Sequence, residues 1–433
     1  MILKNNTIFI KKEEIMPKAT IKVASDKSIS HRAVICGALA NGTTVVKNIL
    51  LAEDTLNTIA AFKALGTDIE INDDNEVIIN GCGGDFSQSE APLYMGNSGT
   101  TTRLMMGVLS HLPFETTLTG DESLNKRPMN RVALPLKKMG ADIIANGEEG
   151  TLPITVSGGK LEGIDHISPI ASAQVKSAIL LAGLFADGKS SVTEPSLSRD
   201  HTERMLTQFG AKINRVGLRV SVRGGQKLTG QEVVVPADIS SAAYFMALGL
   251  LCDNAEIIIE NVGINPTRTG IIDVIKMMGG DIELLNETNN IEPAADIKIT
   301  QSHLDGVTIG GSIIPRLIDE IPIIAVMAAF ADGQTIIKDA AELKVKESNR
   351  IDSTVNMIKS FGGDITPTDD GFIINGNPNM AGNNFKINAN GDHRIAMSSA
   401  ILALSGKVEC EIKGADSILT SFPDFIYIFE TFS

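Results

Sequence analysis

The sequence predicts an α/β protein of two lobes, each holding three copies of one helix–strand unit with helices inside and sheets outside. Three observations carry this. The motif apolar–Gly–x–Asp/Lys–Ile recurs about every 70 to 80 residues, as LGTDI (65–69), MGADI (139–143), FGAKI (209–213), MGGDI (278–282) and FGGDI (361–365). Each copy follows an amphipathic, helix-like stretch and runs into a strand-like one. Each is also preceded by an Ala/Leu/Gly-rich segment that is apolar all round, which predicts a helix buried within a lobe.

The elements follow in a fixed order. An apolar helix such as AVICGALA, SAILLAGLFA, AAYFMALGLLC or IAVMAAFA ends in a turn, commonly NG or DG, and a strand follows: GTTVVKNI, GKSSVTEP, NAEIIIEN or GQTIIKDA. An amphipathic helix comes next: DTLNTIAAFKAL, RVALPLKKM, HTERMLTQF, TRTGIIDVIKM or RIDSTVNMIKS. The motif glycine caps that helix and releases the chain into the next strand. A sixth copy, SSAILALSGKVECEIKGADSILTSFPDFIYIF, lacks its last strand pair. The N-terminal TIFIKK…ATIKV is expected to supply it, placing both termini in one lobe. A three-repeat solenoid shares this periodicity, but these units are too long and too mixed in strand and helix for it.

Composition narrows the function. A 433-residue chain implies two or three domains, and 43% hydrophobic with 21% charged residues is ordinary for a globular protein. A net charge of −14, 4% aromatics and no Trp argue against a nucleic-acid partner. Any bound anion must be held by a local pocket. Cys36, Cys82, Cys252 and Cys410 are scattered, with no CxxC pair, and read as buried thiols in a reducing compartment. With no signal-like start and no apolar run long enough for a bilayer, a cytoplasmic protein without a membrane partner is expected.

Residues that carry chemistry collect at helix starts. Unit one has SDKSISHR; unit two has GNSGTTTR, ending in Arg103, and then NKRPMNR. Unit three has SPIASAQVKSA and SRDHTER, unit five RLIDEIPIIA and KVKESNR, and unit six GDHRIAM. A helix N-terminus offers unpaired N–H groups and partial positive charge to anionic oxygens. Lys or Arg there adds charge-assisted contacts to phosphate or carboxylate. One such start is only an N-cap; several in equivalent slots of a repeat read as a ring of anion-binding groups. GNSGTTTR lacks the ending of a P-loop, and no GxGxxG or HExxH occurs. His31, His201 and His393 stand beside basic residues without metal-ligand spacing, so metal-free chemistry with no cofactor is expected.

Together SDKSISHRA, GNSGTTTRL, KRPM, SAQVKSA, SRDHTERM, KVKESNR and DHRIAM resemble the 5-enolpyruvylshikimate-3-phosphate (EPSP) synthase family of enolpyruvyl transferases, from about Lys27 to SFPDF near residue 425. The resemblance implies a two-domain inside-out α/β barrel, each domain three βαβαββ units, that closes over a cleft. Residues 1–24 and 239–433 would form one domain and 25–238 the other. It implies transfer of the carboxyvinyl group of phosphoenolpyruvate to the 5-hydroxyl of shikimate 3-phosphate, in the shikimate pathway. A monomer is expected, with these two small molecules as its partners.

By the same resemblance, Lys27, Ser28, Arg32, Ser172, Gln174, Asp319 and Lys346 hold shikimate 3-phosphate. Lys27, Gly99, Arg127, Gln174, Arg350 and Arg394 hold phosphoenolpyruvate. Asp319, Glu347 and Lys27 are the expected catalytic groups, and His393 supports them. Gly99 is the form that the resemblance links to glyphosate sensitivity. Ala173, Glu342 and Thr420 stand where better-known members have Ser, Asn and Lys, and Arg199 lies in a segment that elsewhere carries Tyr. The related UDP-N-acetylglucosamine enolpyruvyl transferases carry a reactive Cys five residues before an RP dipeptide; here Glu122 fills that slot. A non-catalytic anion-binding scaffold would explain the basic helix starts without Asp319 and Glu347.

Overall fold

The computed structural model describes residues 2–12, 15 and 17–432. The motif glycines punctuate it as expected. Gly66, Gly140, Gly210, Gly279 and Gly362 have φ between 82° and 109°, a region that costs residues with a Cβ about 1–2 kcal/mol. Each stands at the end of an outer helix: Glu53–Ala64, Asn130–Met139, His201–Gln208, Gly270–Met277 and Arg350–Phe361. A strand begins within a few residues each time, as at Asp68–Ile71 and Asp364–Pro367.

The six apolar segments are the inner helices: α1 (Lys27–Leu39), α2 (Gly99–Leu109), α3 (Ala173–Gly183), α4 (Ile239–Leu251), α5 (Ile321–Ala329) and α6 (His393–Ser405). Every residue of α5 is buried, as is α4 from Ile239 to Leu250. Burying each Val, Leu, Ile, Phe or Met side chain contributes about 1.5–3 kcal/mol. The helix bodies therefore hold the fold, and their N-termini are left free to carry polar groups.

All six sheets share one strand order. An edge strand pairs in parallel with the strand after the inner helix. That strand pairs antiparallel with the unit's last strand, which pairs antiparallel with the strand after the outer helix. In the second repeat these are Leu93–Tyr94, Glu115–Thr119, Thr151–Ser157 and Asp142–Asn146. Parallel neighbours cannot be joined by a tight turn and need a crossover; in the second, third, fifth and sixth sheets the inner helix provides it. The chain divides into two compact units, Ser25–Val235 with α1–α3, and Met1–Ala24 plus Pro236–Ser433 with α4–α6. Among the described residues no sheet closes on itself into a barrel; each unit sets three separate sheets around its helices.

The N-terminal expectation holds in part. Ile2–Lys4 and Thr7–Ile10 complete the sixth sheet, with Ile8 opposite Ile412. The second segment goes elsewhere: Lys18–Ile21 pairs in parallel with Glu256–Gly263 in the fourth sheet. The physical reason is the missing parallel edge strand of that sheet, which the chain lays down before it passes into the Ser25–Val235 unit. The first sheet gains its edge in the same way, from Leu228–Thr229 and Glu232–Val234 at the end of that unit.

Gly210 has φ 94° and nothing within 4 Å of where a Cβ would sit, so its cost on substitution is purely backbone. Gly210→Ala should lower unfolding free energy by about 1 kcal/mol in urea titration. Gly159→Ala, where a Cβ also meets open space but φ is ordinary, should leave it nearly unchanged.

Candidate active site

In the Ser25–Val235 unit, side-chain hydrogen bonds tie the starts of α1, α2 and α3 to one another. Asp26 caps α1, Ser98 caps α2 and Ser172 caps α3, each accepting from a backbone N–H in the first turn. His31 Nδ1 lies 2.8 Å from Thr58 Oγ1, which lies 2.8 Å from Thr101 Oγ1. Thr101 donates in turn to Ser98 Oγ at 2.7 Å, so α1 reaches the cap of α2. Arg103 of α2 donates to Gln174 Oε1 of α3 at 2.8 Å, and Gln174 Nε2 returns a bond to Thr100 Oγ1 at 3.1 Å. Arg32 of α1 donates to Ser177 Oγ of α3 at 3.0 Å and to Thr202 Oγ1 at 2.6 Å.

The cations of this unit are held in different ways. Lys27 pairs with Asp54 at 3.0 Å. Arg127 donates to Asn97 Oδ1 at 2.6 Å and to the Asn97 carbonyl at 3.2 Å. The Arg32 guanidinium is buried, and burial pulls its pKa down to about 10 against the opposing charges of Glu203 and Asp26. Gly99 opens α2 beneath two of these groups: a Cβ there would lie 3.1 Å from Arg103 Nη1 and 3.4 Å from Arg127 Nη1.

The other unit repeats the arrangement with carboxylates. Asp238 caps α4 and Asp392 caps α6, while Asp319 and Glu320 immediately precede α5. Arg350 is the hub. It donates to Asp392 Oδ2 at 2.8 Å, to Asp319 Oδ1 at 3.0 Å and to Glu347 Oε2 at 2.5 Å. Burial alone would lower its pKa, but Asp392, Glu347 and Asp319 together raise it well above the usual arginine value. Lys346 Nζ stands 3.7 Å from Asp319 Oδ1, and Arg394 Nη2 stands 3.8 Å from Asp319 Oδ2. Arg394 also donates to the Asp319 carbonyl at 3.2 Å. Behind α5, buried Glu320 accepts from Ser240, and Arg268 donates to Ser240 Oγ at 2.8 Å and to Asp238 Oδ1 at 3.1 Å.

The expected residues thus fall into two groups. Lys27, Ser28, Arg32, Gly99, Arg127, Ser172 and Gln174 stand at helix starts, or beside them, in one unit. Asp319, Lys346, Glu347, Arg350, His393 and Arg394 do so in the other. Ser28 contributes its carbonyl, which accepts from Arg32 Nη1 at 2.9 Å. Sequence reasoning missed the partners Asp54, Asn97, Ser177, Thr202, Arg268, Glu320 and Asp392. Asn97, Ser177, Thr202, Glu320 and Asp392 carried a signal, since they lie within the helix-start motifs; Asp54 and Arg268 lie outside them.

The sequence profile of the EPSP synthase (3-phosphoshikimate 1-carboxyvinyltransferase) family matches residues 14–429. The 3-phosphoshikimate 1-carboxyvinyltransferase of Brevibacillus brevis is 53% identical over 410 residues, covering 94% of this chain and 96% of that protein. The chain belongs to the EPSP synthase family. The corresponding enzyme of Lactococcus lactis is 52% identical over 414 residues, 94% of this chain and 95% of that protein. The structure of EPSP synthase from Acinetobacter baumannii superposes with a TM-score of 0.88 at 45% identity, over 99% of this chain and 98% of that one. The enolpyruvyl transferase NikO from Streptomyces tendae, at 15% identity and TM-score 0.78, covers 99% of this chain and 97% of its own, and shares the fold. Of the positions expected to depart from better-known members, Ala173 is the first residue of α3, and Thr420 donates to the Ser417 carbonyl at 2.7 Å. The described residues contain no helix long and apolar enough to cross a membrane.

Buried His31 has its pKa pushed well below 6.5 by burial, then by Lys27 and Arg32. As pH falls through about 6.5 the unfolded chain takes up this proton and the folded chain does not. Unfolding free energy should therefore fall as pH drops below about 6.5. His31→Gln should remove that part of the slope, read from urea midpoints at pH values on either side.

Proposed function

We propose that the chain transfers the carboxyvinyl group of phosphoenolpyruvate to the 5-hydroxyl of shikimate 3-phosphate, releasing phosphate, as a monomer in the cytoplasm. The observation that carries this is the gathering of the basic motifs at helix starts, in a chain 53% identical to a 3-phosphoshikimate 1-carboxyvinyltransferase. The two compact units are its functional domains.

The substrates bring two phosphates and two carboxylates, which repel one another unless fixed cations hold them. Lys27, Ser28, Arg32, Ser172 and Gln174 hold shikimate 3-phosphate, together with Asp319 and Lys346. Lys27, Arg127, Gln174 and the backbone at Gly99 hold phosphoenolpyruvate, together with Arg350 and Arg394. Arg350 already donates to three carboxylates, so an added anion must share or displace one of them. His393, the first residue of α6, supports its neighbour Arg394.

In the first step Asp319 accepts the hydroxyl proton as that oxygen attacks C2 of phosphoenolpyruvate, and Glu347 delivers a proton to the methylene carbon. A tetrahedral intermediate results. In the second step Glu347 takes a methyl proton back while the C–O bond to phosphate breaks. The departing phosphate carries away the proton that Asp319 held, with Lys346 beside Asp319 as its relay.

Phosphate release from phosphoenolpyruvate should depend strictly on shikimate 3-phosphate and persist in a chelator. Glu347→Gln should cut kcat on the order of 10²-fold or more with both substrates still bound. Undiminished turnover in that variant would favour the scaffold reading. Gly99→Ala should push on Arg103 and Arg127, raising the KM for phosphoenolpyruvate about tenfold and weakening inhibition by glyphosate. The KM for shikimate 3-phosphate should stay unchanged.

A further inference from the structure

Behind the Arg32 site lies a buried ion triad that the proposed mechanism does not use. Lys176 Nζ of α3 is 2.9 Å from Glu194 Oε2 and 2.9 Å from Glu203 Oε1, and its side chain is only 2% exposed. It also donates to the Ser198 carbonyl at 3.4 Å. Such a triad is a poor device for stability: desolvating three charges costs several kcal/mol per ion, and apolar residues of similar volume commonly serve as well or better. What distinguishes this one is where its two carboxylates lead.

Glu194 uses its other oxygen, Oε1, to accept from the backbone N–H of Ser172 at 2.9 Å. That bond fixes the residue capping α3, whose hydroxyl accepts from Val175 N. Glu203 belongs to the helix His201–Gln208, one residue beyond Thr202. Lys176 therefore clamps this helix against α3. The same contact sets Thr202 Oγ1 2.6 Å from Ser177 Oγ, and both hydroxyls accept from the Arg32 guanidinium. Glu203 is also the largest charge opposing the effect of burial on Arg32.

We infer that Lys176 is a positioning residue for shikimate 3-phosphate, acting through Glu194 on the Ser172 turn and through Glu203 on the guanidinium of Arg32. The inference rests on the proposed function, since Ser172 and Arg32 are taken there as ligands of that substrate. Lys176 itself touches no substrate. Its charge holds two binding elements, from different parts of the chain, in one register.

Lys176→Met alone would strand two buried carboxylates, so the informative variant neutralises all three: Lys176→Met with Glu194→Leu and Glu203→Gln. It should fold with an unchanged or higher melting temperature. Its Kd for shikimate 3-phosphate by calorimetry, and its KM, should rise about tenfold or more. The KM for phosphoenolpyruvate and kcat should stay within about twofold. Glu194→Gln keeps an oxygen for Ser172 N–H and should lose clearly less affinity than Glu194→Leu. A folded triple variant with unchanged affinity overturns the inference, and so does a triple variant that cannot fold, which would assign the triad to stability. Wild-type protein that releases no phosphate with both substrates would instead sink the reading of function.

Discussion

A parallel pair of strands cannot be closed by a tight turn, and this constraint orders everything else in the molecule. Every sheet contains such a parallel pairing; in the second, third, fifth and sixth an inner helix makes the crossover, and in the first and fourth the edge strand comes from a distant segment of the chain. Each inner helix begins just past an edge strand, of its own sheet in four repeats and, for α1 and α4, of the fourth and first sheets respectively. Helix starts carry unpaired N–H groups and partial positive charge. Three repeats per unit therefore bring three anion-attracting ends together before any side chain is considered. The side chains then knit those ends into a network, through His31, Thr58 and Thr101 in one unit and through Arg350 and Asp392 in the other.

The two networks solve the problem of buried cations differently. Arg32 gives its hydrogen bonds to hydroxyls and a carbonyl, so desolvation prevails and its pKa falls to about 10. Arg350 gives its bonds to three carboxylates, so attraction prevails and its pKa rises. An arginine of the first kind gains most from an arriving anion. One of the second kind is already neutralised and serves as much to orient Asp319 and Glu347 as to bind. Under the proposed function this matches one site that mainly grips phosphate to one that mainly manages protons.

Much of this was legible in the residues. The motif glycines announced the helix ends because a left-handed φ excludes most other residues there. The apolar segments announced the inner helices because only a helix buried on all sides tolerates such composition. The basic and hydroxyl candidates were visible because Lys, Arg, Ser and Thr at a helix start break an otherwise apolar run, whereas Gly99, Gln174, Asp319, Glu347 and His393 were expected from the family resemblance. Less legible was the destination of the N-terminal strands. TIFI and ATIK look alike as strands, yet one completes the sixth sheet and the other the fourth.

Sequence alone therefore determined the repeat, the helix and strand identities, the buried helices and the residue types at each helix start. These are local matters, set by periodicity, glycine and capping over a few residues. Only the tertiary structure decided that Lys27 meets Asp54, that Arg32 rests on Ser177 and Thr202, and that Lys176 joins Glu194 to Glu203. Arg32 and Thr202 lie 170 residues apart. No periodicity encodes such a pair, because the contact exists only once separate repeats have packed and their helix ends have converged.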